Sequence, residues 1–460
     1  MGLYRVYWRL KTLIQRIPVR VGEERDMKLT RNRVIGAALV VLVAVLGIGQ
    51  HLLEKEAIAQ TTGKVMVPKF EVDPFWPKPM PNNWVFGQTI GLGVDEKDQV
   101  WIIHRGNDPG NLDRTELAFP PPIAGRGARG AAPVTEQPEL NASQPMKVAE
   151  CCFPAPPVVA FSPAGDVVYS WGGPKLHPDW PDSNHGIIVD NKGYVWIGGN
   201  GQPDSHIMKF TRDGKFVAMF GKKGARRDPS NPNQYVRGAD DLESFGRVAK
   251  IFIDGPANEA YVADGYFNKR VAVIDMDSGK VKRYWGGYGE KPDNANPAPY
   301  NPKEGPSRQF RTPVHCAMVS KDGFVYVCDR PNDRLQVFTK DGKFVKEKQY
   351  FPETLADGSV WDLAFSTDPQ QKFIYVADGK NDHIYIIDRQ SLELLTSFGA
   401  GGRQPGMFMA VHSIAVDSKG NIYTTETYTG KRLQKFVYKG MVPLDKKVQG
   451  APWPTRTTTH

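Results

Sequence analysis

Three of the nine histidines occupy one position in a repeated pattern. His185 stands five residues before Asp190, His315 five before Ser320 and His412 five before Asp417, each at the start of a short apolar run. Imidazole offers a neutral nitrogen ligand, and three at one depth leave a fourth position for water or a substrate oxygen, the layout of a catalytic Zn2+ site. Taken singly, a histidine in a channel is more often a hydrogen-bonded wall residue than a ligand; the shared register sets these three apart. His104, His177, His206 and His383 fall outside it and read as surface or turn residues, and His51 and His460 fall in segments expected to be flexible.

Three more side chains sit at one kind of turn. Arg105 (in Ile103-His-Arg-Gly-Asn107), Tyr266 (in Asp264-Gly-Tyr-Phe-Asn268) and Arg330 (in Cys328-Asp-Arg-Pro-Asn332) each follow the second strand of a repeat, which aims them at the same mouth. Arginine grips carboxylates through two parallel hydrogen bonds, so a pair beside a metal selects a small anionic or peptide-like substrate. A phenol there can serve as general base. Each of the three also has a plainer reading, as a turn-bracing ion pair or a packed ring.

Such convergence demands a repeating scaffold, and the chain supplies six units. Their first strands begin at Ile90, His185, Ala249, His315, Trp361 and His412 and close on Asp95, Asp190, Asp254, Ser320, Ser366 and Asp417. A second strand rich in Tyr, Trp and Val follows, as in Tyr194-Val-Trp-Ile197, then an alternating third such as Arg270-Val-Ala-Val-Ile274 and a fourth such as Leu394-Leu-Thr-Ser-Phe398. Four short strands at roughly 45 to 65 residue spacing predict an all-β, six-bladed β-propeller with four-stranded blades. Innermost strands line the channel of such a ring, so histidines in blades two, four and six face one axis. Residues 60–445 form this body, and Lys69-Phe-Glu-Val-Asp73 is placed to supply the strand missing after Phe436. Residues 107–155, rich in Pro, Gly and Ala, read as a long loop insertion or a lid, and 446–460 as a flexible tail.

The formal charge of +9 does not point to nucleic acid, because residues 1–59 hold 10 Lys/Arg against 5 Asp/Glu. After residue 60 no basic run interleaves with aromatics, so nucleic-acid binding is not expected. The apolar run from Val34 to Gly49, preceded by Lys28, Arg31 and Arg33 and followed by Ala57-Ile-Ala59, resembles a secretory signal or a retained anchor. Met27 is an alternative start. The body is therefore expected to be exported, periplasmic or extracellular, and to meet a membrane only through residues 1–59; its oligomeric state stays open. Cys316 and Cys328 flank one turn and read as a cross-strand disulfide or two buried thiols, while Cys151 and Cys152 are adjacent.

The motif set resembles peptidyl-α-hydroxyglycine α-amidating lyase, an NHL-repeat type of propeller enzyme that cleaves α-hydroxyglycine to an amide and glyoxylate. It runs through His-Arg-Gly at 104–106, Asn-His-Gly at 184–186, Asp-Gly-Tyr-x-Asn at 264–268, Val-His at 314–315, Asp-Arg-x-Asn at 329–332 and Val-His-Ser at 411–413. The resemblance implies that His185, His315 and His412 bind Zn2+, that Tyr266 is the base and that Arg105 and Arg330 contact substrate. That family's structural Ca2+ uses an acidic residue directly after the third histidine; Ser413 stands there, so calcium is left without that ligand. The cysteines fall outside the family's disulfide positions, and no His-His-Met copper segment is present. Two other readings compete: a propeller lactonase, whose acidic and amide ligands the histidine trio argues against, and a non-catalytic NHL-repeat propeller that binds a partner protein.

Overall fold

The computed structural model describes residues 65–106, 111–112, 116–118, 149–295 and 297–444. It is all-β, with six four-stranded antiparallel sheets and no α-helix among the described residues. The first strand of each blade (Thr89–Val94, Asn184–Val189, Lys250–Asp254, Val314–Val319, Asp362–Phe365 and Val411–Val416) lies against the first strand of the next. The sixth returns to the first, which closes a ring. The architecture is a six-bladed β-propeller.

In blades one, two and six the residue that ends the first strand explains why the pattern repeats. Asp190 accepts the amides of Lys192 and Tyr194 through Oδ1 and the indole N–H of Trp196 through Oδ2. Asp95 does the same for Lys97, Gln99 and Trp101, and Asp417 for Lys419, Asn421 and the hydroxyl of Tyr423. One carboxylate thus shapes the turn and pins the aromatic of the following strand, which fixes hairpin register. Gly193, at φ +85, completes that turn in the left-handed region.

Blades are held to one another by apolar faces. Trp101, Ile103 and Val158 of blade one pack with Ile187, Val195, Ile197 and Phe210 of blade two, and similar clusters fill the other gaps. The ring closes through Met66–Asp73, which pairs antiparallel with Leu433–Pro443 as the outermost strand of blade six, in the place read from sequence. Phe70 on this strand is 3% exposed and meets Tyr375 edge-on at 5.4 Å and Phe398 at 5.6 Å. Phe70→Ala is expected to destabilise the ring by about 3–5 kcal/mol, the usual cost of a large-to-small change in a packed core. Denaturant unfolding at constant slope measures it; a change under 1 kcal/mol would show that closure does not depend on this contact.

The long insertion falls between Val100–His104 and Val158–Phe161, the second and third strands of blade one. Its described parts are anchored: Phe153–Pro154 pairs in parallel with Trp84–Val85, and Glu116 bridges Lys431 of blade six at 2.7 Å. The signal or anchor at 1–59, most of the insertion, the tail at 446–460, His51 and His460 lie outside the described residues. No helix among those described is long and apolar enough to cross a membrane.

Candidate metal centre

His185, His315 and His412 take the second position of the inner strands of blades two, four and six. All three are buried, and one nitrogen from each lies within 4.8 Å of the others. Ring centroids are 5.2, 5.0 and 4.7 Å apart, each pair meeting edge to face. Among the described residues this is the one converging group of three or more His, Cys, Asp or Glu.

The intervening blades set the chemistry of these rings. His185 Nδ1 lies 2.6 Å from the carbonyl of Ala249, His315 Nδ1 2.5 Å from that of Trp361, and His412 Nδ1 2.9 Å from that of Ile90. Ile90, Ala249 and Trp361 are the three remaining register positions, so ligand and acceptor alternate around the ring. A carbonyl only accepts, so each Nδ1 carries the proton and each Nε2 presents a lone pair inward. Burial is the main force holding all three imidazoles well below their ordinary pKa. The fields of Arg105 and Arg330 on His185 and His412, and of Arg330 on His315, act the same way. The trio is neutral at physiological pH, the state that binds metal.

Tyr266 Oη sits 2.9 Å from His185 Nε2 and 3.1 Å from His315 Nε2. A phenol has one proton and cannot donate to two lone pairs at once. The pocket therefore holds more lone pairs than donors, a deficit suited to a cation, and the donor set fits a tetrahedral divalent metal with one position for a non-protein ligand.

Arg105 and Arg330 both reach this mouth. Arg105 donates to the Asn184 carbonyl at 3.0 Å, to Gln88 Oε1 at 3.1 Å and to Asn200 Oδ1 at 2.7 Å, all neutral acceptors that hold its fork in place. Arg330 lies over the Trp361 ring at 4.4 Å and pairs with Asp357 at 3.2 Å. The Trp361 ring in turn meets His315 and His412 edge-on at 6.2 and 5.6 Å, which ties the guanidinium to the histidine cluster.

Some features escaped the sequence reading. His104 and His206, expected at the surface or in turns, are fully buried. His104 uses Nε2 toward the Pro156 carbonyl at 2.9 Å and accepts the Gly106 amide on Nδ1 at 2.9 Å, and His206 bonds the Asp179 carbonyl at 2.8 Å. Both sit at strand ends, where a ring nitrogen satisfies a backbone group that the ladder leaves open. Cys316 and Cys328 are bonded across the first two strands of blade four, immediately after His315 and before Asp329-Arg330; Cys151 and Cys152 are bonded to each other. One residue along from the register, Lys250 donates to both oxygens of buried Asp362 at 2.6 and 2.5 Å, so this carboxylate is already engaged by a cation. A Lys followed by an apolar strand carries no signal of that pairing.

Asp333, just past the Arg330 turn, accepts the Ser359 amide at 2.7 Å and so anchors the loop that carries Asp357. Burial pushes its carboxyl up to about 7. The unfolded chain releases this proton near pH 4 and the folded one near 7, so the group lowers stability progressively as pH rises across that window. Asp333→Asn is expected to match wild type at pH 4 and to be more stable by about 2–4 kcal/mol at pH 8. Parallel denaturation curves at the two pH values read the difference, and a gap that does not grow with pH refutes the assignment.

The fold and site together define a six-bladed propeller with a buried three-histidine centre. No family model matches the chain. It is similar to peptidyl-glycine alpha-amidating monooxygenase B of Xenopus laevis, at 24% identity over 371 residues, covering 78% of this chain and 34% of that protein. NHL repeat-containing protein 3 of Mus musculus is 24% identical over 320 residues, covering 66% of this chain and 74% of that one. A solved WD40 β-propeller domain of Doa1 aligns at TM-score 0.42 and 10% identity, over 80% of this chain and 97% of that chain. The chain spans about a third of the length of the amidating relatives it matches.

Proposed function

We propose that this propeller is a zinc-dependent lyase that cleaves the C–N bond of an α-hydroxyglycine-like substrate, giving an amide and glyoxylate. One observation carries the reading: a phenol oxygen stands 2.9 and 3.1 Å from two of three convergent, neutral imidazole nitrogens, with two arginines at the same mouth. The similarity to amidating monooxygenases supports it.

His185, His315 and His412 would hold the zinc through Nε2, with the Ile90, Ala249 and Trp361 carbonyls keeping those nitrogens unprotonated. Bound there, zinc supplies Lewis-acid polarisation of the substrate oxygen. Arg330 and Arg105 receive the carboxylate and orient the hydroxyl-bearing carbon toward Tyr266. Tyr266, acting as its phenolate, takes the hydroxyl proton; the O–H electron pair forms the aldehyde C=O as the C–N pair leaves on nitrogen, which takes the proton back from the Tyr266 phenol and departs as the amide. The direct test is glyoxylate release from N-benzoyl-α-hydroxyglycine by the zinc-loaded protein. No release at any pH from 5 to 9 removes the reaction and leaves the metal site standing.

The similarity to NHL repeat-containing protein 3 favours a second reading, a non-catalytic propeller that binds a partner protein. Metal analysis separates the two, since a partner scaffold has no need of bound zinc.

A further inference from the structure

Two contacts hold the Arg330 side chain. Its guanidinium lies over the Trp361 ring at 4.4 Å, its side chain is 8% exposed, and its Nε is buried without a hydrogen-bond partner. The second contact is a carboxylate: Asp357 Oδ1 accepts from Nη2 at 3.2 Å. Asp357 itself is about one-third exposed, at the lip of the mouth, and its other oxygen accepts the Tyr428 hydroxyl at 3.4 Å. Tyr428 turns its ring edge toward Trp361 at 6.3 Å, so Arg330, Trp361, Tyr428 and Asp357 form one closed patch beside the histidines.

The chain holds Asp357 there deliberately. The next residue, Gly358, has φ +73, and a Cβ on it would come 2.0 Å from the Arg330 carbonyl oxygen. Only glycine lets this loop press so closely on the Arg330 turn. Loop and turn are joined again through the Asp333–Ser359 bond described above.

A carboxylate held against a substrate-binding guanidinium changes what the guanidinium will accept. It occupies one edge of the fork and cancels part of the positive field, leaving the other edge for one incoming anionic group. We propose that Asp357 is a specificity-determining residue that makes this mouth a monocarboxylate site and turns away dianions. The proposal rests on the reading of Arg330 as the carboxylate receptor. Repulsion from Asp357 falls on any second negative charge of a ligand, so the penalty grows with ligand charge while the first carboxylate still finds Arg330.

The test uses two non-reacting ligands that share a hydroxyl-bearing carbon, glycolate with one carboxylate and tartronate with two. Binding of each to the zinc-loaded chain is measured calorimetrically for wild type, Asp357→Asn and Asp357→Glu. Asparagine keeps the shape and a hydrogen bond to Arg330 but removes the charge. In wild type glycolate is expected to bind more tightly than tartronate. In Asp357→Asn tartronate is expected to gain about tenfold or more and glycolate about threefold or less, and Asp357→Glu should restore the wild-type preference. An unchanged ratio in Asp357→Asn, or a glutamate variant that behaves like asparagine, overturns the proposal. Binding of neither ligand to any of the three proteins overturns it together with the Arg330 assignment. Because this readout is binding, it is independent of glyoxylate release, and failure of the lyase reaction alone leaves it intact.

Discussion

His315→Ala is expected to abolish stoichiometric zinc. Wild-type protein, purified without chelator and dialysed against trace zinc, should carry about one ion per chain, and the variant less than a tenth of that. The expectation follows from geometry: two imidazoles and a phenol remain, and the lost ring is the one joined to both Tyr266 and the Trp361 carbonyl. Losing one of three protein ligands removes a large part of the 10–16 kcal/mol typical of apparent zinc affinities in structural sites, which sets the scale of the loss. The fold should survive, since inner-strand pairing in blade four continues from Cys316 to Val319 without the imidazole. Full metal retention in a folded variant would sink the site as drawn.

Tyr266→Phe should leave zinc in place and lower the rate of glyoxylate release by about 10²–10⁴-fold, the usual contribution of a positioned proton acceptor. The substitution removes only the phenol hydroxyl, which bonds two Nε2 atoms; the ring, 4.8 Å from that of His185 and packed against the cluster that includes Ala249, Phe310 and Val314, is unchanged. Loss in kcat with KM nearly constant is the expected signature of an interaction made in the transition state. A Phe variant with wild-type turnover would exclude Tyr266 as the base, whatever the metal does.

How much of this was legible in the sequence depends on what carries the signal. Blade count and strand order were legible because each first strand closes on Asp or Ser, and because in blades one, two and six the aromatic that the Asp pins stands six residues on. Ring closure was legible because Lys69–Asp73 alternates and the sixth unit lacks an outer strand. The convergence of His185, His315 and His412 followed from their common register. The acceptors of their Nδ1 protons did not, because Ile90, Ala249 and Trp361 act through backbone carbonyls, which leave no trace in residue type. Asp357 was hidden for a different reason: it lies in a loop 27 residues from Arg330, and only the chain path around Gly358 brings the two together. The buried roles of His104 and His206 carry no register signal, because strand ends have backbone needs of their own that residue spacing does not show.

The alternation of imidazole and carbonyl around the inner ring imposes a rule of parity. Every histidine leans on the blade that follows it, and every acceptor blade serves the histidine before it. A ring with an odd number of blades must place two blades of one kind side by side, which breaks the even spacing of the imidazoles around the axis. Copying or removing one blade therefore breaks this alternation, while blades exchanged in adjacent pairs keep it, so the site is modular in twos rather than in single blades.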